Sequence, residues 1–193
     1  MNELDILPWA QPIAGFRSRK AAQMCAYFAV ENGGTIEKLK LIKLMYLGER
    51  AFLSKHHHPM LFDELYSLPH GPICSSTLHG VDGHIHEEIW SEYITRNGNL
   101  VVAIKSLERD DLDEISDAEL EVISDTWGNL GHMTASQLRN YSHEQCPEYT
   151  ETEKSRIPIT YEQIFEALGE EGASEIAKDI EDMVKVEGRL AAQ

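Results

Sequence analysis

Apolar and polar positions recur along the chain in several distinct patterns, and each predicts a different element. From Ser18 onward Ala21, Cys25 and Phe28 repeat at helical spacing, with Ser18 as the N-cap residue type and Gly33-Gly34 as the stop. Thr35 is placed to cap a second helix running from 36 to about 55. Leu39, Leu41, Ile42, Leu44, Met45 and Leu47 cover most of its circumference, which predicts a helix central to a core. Residues 61–68 read as a short strand or extended segment. His70-Gly71-Pro72 reads as a turn that places Pro72 at the first position of a short helix reaching 78. Two β-rich runs, 89–95 and 100–106, flank Arg96-Asn97-Gly98-Asn99, and Asn-Gly between such runs is a strong hairpin signal.

Beyond this hairpin the pattern is helical. Three capping boxes open helices at Ser116–Glu119, Thr134–Gln137 and Thr160–Gln163. Leu120, Ile123, Trp127 and Leu130 follow the first at core spacing. Ile164, Phe165 and Leu168 follow the third, and Gly169 ends it. Between them, residues 142–149 leave a helix and turn at Pro147. A last amphipathic stretch, 173–190, carries Ile176, Ile180 and Met183 or Val184 on one side. The expected fold is α+β and mostly α-helical: a compact helical domain with a small β-hairpin and a C-terminal amphipathic helix. Its expected organisation is an irregular N-terminal lead over 1–17, one domain over 18–168, and a helical appendage over 169–193.

Composition changes this picture at two points. The 193 residues are 42% hydrophobic and 26% charged, which excludes wholesale disorder and fits one domain with an appendage. No window approaches the ~18 apolar residues of a membrane span, and the start lacks the pattern of a signal peptide. Three widely spaced cysteines (Cys25, Cys74, Cys146) suit buried thiols in a reducing, cytoplasmic compartment. The net charge of −16 is uneven. Residues 1–107 carry 11 acids and 10 bases (−1), and residues 108–193 carry 22 acids and 7 bases (−15). Such a chain repels phosphate backbones and anionic membranes, and it favours a basic protein partner.

Candidate chemistry is sparse. Seven of nine histidines fall between residues 56 and 86, and His84-x-His86 with His79 could supply ligands to a catalytic metal ion. Against this stand the absence of an HExxH or paired CxxC pattern, and the dipole-favoured place of the 56–58 run at a helix end. Cys74 lies near His70 and His79 without a third orienting residue, and neither GxSxG nor a phosphate-binding glycine loop occurs. A metal-dependent hydrolase on the histidine cluster and a DNA-binding autoregulator are the alternatives to a protein-binding module. No cofactor is implied. On the second helix Lys40, Lys43 and Arg50 make a basic ridge, read either as a solvated edge or as a contact to partner carboxylates and carbonyls. Reversing the ridge (Lys40→Glu with Lys43→Glu) is expected to abolish partner neutralisation while the chain stays folded. Tyr46 adjoins it. The turn with Tyr66, His70, Gly71 and Pro72 either admits a partner backbone or serves the architecture.

These residues carry a resemblance. Lys40-Leu41-Ile42-Lys43-Leu44-Met45-Tyr46-Leu47 resembles the KLxKLxY helix of the SocA-like Panacea antitoxin domain. Ala21-Ala22-Gln23, Tyr27-Phe28 and Gly33-Gly34 are similar to its first helix and turn, and Leu68-Pro69-His70-Gly71-Pro72-Ile73 to its GPV turn. Ser142-His143 with Pro147-Glu148-Tyr149 is similar to its SHxxPxW element. Ser67-Leu68 stands where many members have Ala-Trp, and Tyr149 where Trp is common. The resemblance spans roughly 18–168 and implies a non-enzymatic, phage-associated antitoxin that binds a protein toxin encoded by a neighbouring gene. One branch of the family instead delivers its toxin to a cytoplasmic protease. With an antitoxin role, the basic ridge and the turn make Lys40, Lys43, Tyr46, Arg50, Tyr66, His70, Gly71 and Pro72 the expected partner-binding residues. The last helix is left open as a homodimer contact, a toxin contact or a tag for proteolysis.

Overall fold

The computed structural model describes residues 15–191. Most of the N-terminal lead expected over 1–17 lies outside the described residues. The first helix, α1 (Ser18–Glu31), buries Met24 and Phe28 together with the small Ala21, Ala22, Cys25 and Ala29, which let the helix approach its neighbours closely. Arg17, not Ser18, holds the cap position, and Ser18 lies in the first turn with its Oγ 2.5 Å from His86 Nδ1. Gly33 and Gly34 close the helix at positive φ, with the Gly34 amide donating to the Ala29 carbonyl.

Thr35 does not cap the second helix. Thr35–Glu37 form a strand, β1, and the helix begins three residues later as α2 (Lys38–His56). The reason is tertiary. Ile36 lies opposite Val101 of a later strand and both are buried, so pairing outcompetes a longer helix. That later strand is β5 (Leu100–Ala103), joined to β4 (Ile94–Asn97) in the expected hairpin, though Asn97 already pairs with Leu100 and the two-residue turn is Gly98-Asn99, one position beyond the Asn97-Gly98 pair; the antiparallel sheet order is β1-β5-β4.

A second three-stranded antiparallel sheet has the order β3-β2-β6, built from β2 (Leu65–Leu68), β3 (Gly71–Cys74) and β6 (Ile157–Ile159). Pro72 therefore sits within an edge strand opposite Ser67, where a missing N–H is tolerated, and the short helix α3 (Ser75–Val81) starts after it. The expectation that Pro72 opens that helix is corrected. After α4 (Glu87–Trp90) and the hairpin come α5 (Asp117–Leu130), α6 (Ala135–Gln145) and α7 (Tyr161–Leu168). Each of these last three is opened by its capping box, whose Ser116, Thr134 or Thr160 side chain accepts from the backbone N–H three residues on. The final helix, α8 (Ala173–Ala191), packs on α7 and buries Ala173, Ala177 and Ile180 against the core.

α2 is the axis of the molecule. It packs on α1, α5, α6, α7 and β3, and every residue from Leu41 to Glu49 is buried. The fold is mostly α-helical with two small antiparallel sheets, an α+β architecture. No helix is long and apolar enough to cross a membrane among the described residues.

Candidate partner-binding site

Lys43, Tyr46 and Arg50 follow one another at helical spacing on α2, so their side chains leave the same side of the helix. That side faces the β2–β3 hairpin and the exit of α6, not solvent. Lys43 is 0% exposed, and its Nζ donates to the Pro72 carbonyl at 2.7 Å. Burial lowers its pKa to about 7, partly offset by the neighbouring Cys146 and Cys74 thiols. Tyr46 is also 0% exposed, and its hydroxyl donates to Glu148 Oε1 at 2.7 Å. Burial first, and the Glu148 charge second, push its phenol well above the ordinary value. Arg50 closes the group, with Nε donating to Glu148 Oε1 at 2.6 Å and Nη2 to Oε2 at 3.2 Å. The Glu148 side chain is fully covered in this ion pair, so its charge is compensated by a fork of donors and a phenol.

The hairpin meets this group at Gly71. Its φ is +101°, and a Cβ there would stand 2.9 Å from Lys43 Nζ, 2.9 Å from Ser142 Oγ and 3.1 Å from His143 Cδ2. Glycine is required both by the backbone and by the approach of α2 and α6. The exit of α6 then grips β2 from the other side. Tyr149 Oη donates to the Leu68 carbonyl at 3.2 Å, the Thr150 amide donates to Ser67 Oγ at 3.0 Å, and the His143 ring stacks on Tyr149 at 4.4 Å between centroids.

These contacts correct the solvent-facing ridge. Lys43 and Tyr46 are interior, Arg50 is half-buried and committed to Glu148, and Lys40 is half-buried as well. Lys40 itself lies over the Trp127 ring at 5.1 Å and donates to Asn32 Oδ1 at 2.8 Å and the Gly131 carbonyl at 2.6 Å. In the turn, Gly71 and Pro72 are buried, Tyr66 is half-buried beneath the Arg156 guanidinium at 3.7 Å, and His70 is exposed. The sequence pattern put the cations on one side of α2. It could not show that this side is covered by elements ~30 and ~100 residues away.

Two buried acids escaped notice in the sequence. Glu49 accepts from the Met60 and Leu61 amides at 3.2 and 3.5 Å, and burial raises it to about 8. Asp63 accepts from the Ser76 and Thr77 amides at 2.7 and 2.8 Å, which supplies the acceptor that the start of α3 lacks in its own cap residue. Burial raises Asp63 to about 6. The available signal was an acid at the end of an apolar stretch, Glu49 after Leu44-Met45-Tyr46-Leu47-Gly48 and Asp63 after Met60-Leu61-Phe62. Glu148 stood in the quoted Pro-Glu-Tyr element without an assigned partner.

The histidines do not converge. His79 and His84 rings are 6.0 Å apart, His86 is engaged with Ser18, and His56, His57 and His58 are exposed at the end of α2. Among the described residues no group of three or more His, Cys, Asp or Glu could hold a metal ion. The three cysteines are free and buried, and burial pushes the Cys146 thiol up to about 12 and those of Cys25 and Cys74 upward as well. None is therefore a ready thiolate at neutral pH.

Residues far apart in the chain thus meet at one junction: Lys43 and Tyr46 from α2, Gly71 and Pro72 from β3, and Ser142, His143, Glu148 and Tyr149 from α6 and its exit. The family model for the antitoxin SocA-like, Panacea domain matches residues 41–148, a span that begins on α2, contains the hairpin and ends on Glu148. No curated protein and no solved structure matches the chain. With that model covering more than half of its 193 residues, the chain belongs to the antitoxin SocA-like, Panacea domain family.

Proposed function

We propose that this chain is the antitoxin of a toxin–antitoxin pair and neutralises a protein toxin by covering it, without making or breaking covalent bonds. The family match carries the reading. The internal use of its motif residues supports it. Lys43, Tyr46, Gly71 and Pro72 lock α2, the hairpin and α6 together, so they maintain a scaffold, and recognition falls to the exterior. The accessible surface of 10005 Å² readily supplies one side of an interface burying ~1,200–2,000 Å² in total. The net charge of −16 favours a basic toxin and speeds its encounter. Of the residues singled out in the sequence, His70, Tyr66, Lys40 and Arg50 retain solvent access, and the first three, which are outside the Glu148 ion pair, remain in the proposed contact set.

The test is expression of the small protein encoded by the adjacent reading frame, alone and with this chain. Arrest of growth by the neighbour, rescue on co-expression, and co-purification of the two proteins are expected. A neighbour that is harmless alone, or that this chain does not bind, overturns the reading. Rescue that is lost in a protease-deficient host replaces occlusion with delivery for degradation.

A further inference from the structure

α2, buried without interruption over Leu41–Glu49, opens to solvent again at Arg50 and Ala51. α5 and α6 both pack on α2, and between them lies an open cleft of about 370 Å³. α5 comes close to α2 at Gly48, where a Cβ would meet Ile123 Cγ2 at 3.8 Å and Thr126 Oγ1 at 3.9 Å. The exit of α6 is held to α2 by the Glu148 ion pair. The two helices are thus fixed apart. The gap between them is floored by Leu47 and Ala51 of α2 and walled by Leu130 of α5 and Tyr141 of α6. Ala51 is exposed, although Leu41–Glu49 just before it are all buried.

The electrostatics of the rim point one way. The two cations lining the cleft are neutralised within the chain, Arg50 by Glu148 at 2.6 Å and Lys55 by Glu121 at 2.8 Å. Among the described residues Asp125 on the α5 wall has no ion pair, and neither has Glu144, an exposed residue of α6 just outside the cleft and next to the lining Gln145. What remains is a floor and walls of Leu47, Ala51, Leu130 and Tyr141 with one uncompensated charge on the lining, Asp125, whose helix belongs to the half of the chain that carries −15. The volume lies at the low end of the ~300–1,000 Å³ range of small-molecule pockets, so it takes anchoring side chains and not a whole ligand. An apolar floor between two fixed helices, with polar edges, matches the groove that receives one face of an amphipathic helix.

We propose that this cleft seats the apolar face of an amphipathic helix of the toxin, whose flanking lysines or arginines meet Asp125 and Glu144. This rests on the antitoxin reading and names the surface that executes it. Ala51 and Asn129 line the cleft and are both exposed, so enlarging either fills the gap without displacing a packed side chain.

The experiment is calorimetric titration of the purified neighbouring-frame protein into wild type, Ala51→Trp, Asn129→Trp and the double variant Asp125→Lys with Glu144→Lys. Circular dichroism melts confirm that each is folded. Each tryptophan variant is expected to weaken Kd by at least about thirtyfold, the size of a lost hot spot. The double reversal is expected to raise Kd and flatten its dependence on salt. Wild-type binding together with unchanged Kd in both folded tryptophan variants overturns the cleft and leaves the antitoxin reading standing. No binding by wild type overturns both.

Discussion

A lysine with every side-chain atom covered, one carbonyl at 2.7 Å and two thiols nearby sits where its charge is penalised, and burial accordingly brings Lys43 down to about 7. Replacing it by methionine removes that penalty and one hydrogen bond together. Lys43→Met is expected to change unfolding free energy by no more than about 2 kcal/mol in urea titration. Lys43→Glu points a buried carboxylate at the Pro72 carbonyl, and a loss of about 3–5 kcal/mol is expected from the same measurement. The combined reversal of Lys40 and Lys43, which an exposed ridge would tolerate, is therefore a folding mutation and cannot isolate binding.

Glu49 gives a signed pH dependence. Its ordinary value is 4.5, and in the fold it is raised to about 8 by burial. The folded chain keeps a proton that the unfolded chain has released between those values. The stabilisation is complete below the unfolded value and is lost as pH rises through the folded one. Asp63 acts in the same direction over a lower window, from 3.8 to about 6. The wild type is expected to lose stability relative to Glu49→Gln as pH rises from about 5 to about 9, read from urea midpoints. A wild-type advantage that is constant across that range refutes the assignment.

Among the elements, the β2–β3 hairpin depends most on a single position. Gly71 places its backbone against the Lys43 ammonium and the Ser142 hydroxyl, with φ at +101°. Gly71→Ala adds a methyl 2.9 Å from each of those atoms and strains the backbone as well. Strain and overpacking together are expected to cost about 2–4 kcal/mol, measured as a shift in the urea midpoint. The far strand β6 pairs with β2 and not with β3, so the hairpin is held between chain segments more than 70 residues apart, as Ser67↔Ile157 and Leu65↔Ile159 show. That long-range pairing explains why 61–68 read only as strand or extended segment. The run is too short for periodicity to decide, and its partner is remote. The three capping boxes were fully legible, because each is a local exchange of hydrogen bonds within four residues.

At the scale of the molecule, charge is the distinguishing property. A net −16, concentrated beyond residue 107, sets a long-range field that salt screens over a Debye length of ~10 Å at 0.1 M. In the antitoxin reading, the association rate with a basic toxin is expected to fall at least about tenfold between low and ~0.5 M salt, while the dissociation rate changes little. Stopped-flow mixing measures both. An association rate indifferent to salt removes steering from the account. The same field disfavours DNA, whose affinity depends on releasing counterions from phosphates.

The sequence alone determined the helical content, the caps that start α5, α6 and α7, the Asn-Gly hairpin, the centrality of α2 and the family. These follow from local periodicity, local hydrogen bonding and residue strings. Only the tertiary structure decided that β1 replaces the first turn of α2, that Pro72 lies in a strand, and that Lys43, Tyr46 and Arg50 face inward to Pro72 and Glu148. Those outcomes depend on which distant segment covers a given face. A helix pattern records that its positions share a side, but the element that occupies that side is set by packing between residues up to about a hundred positions apart.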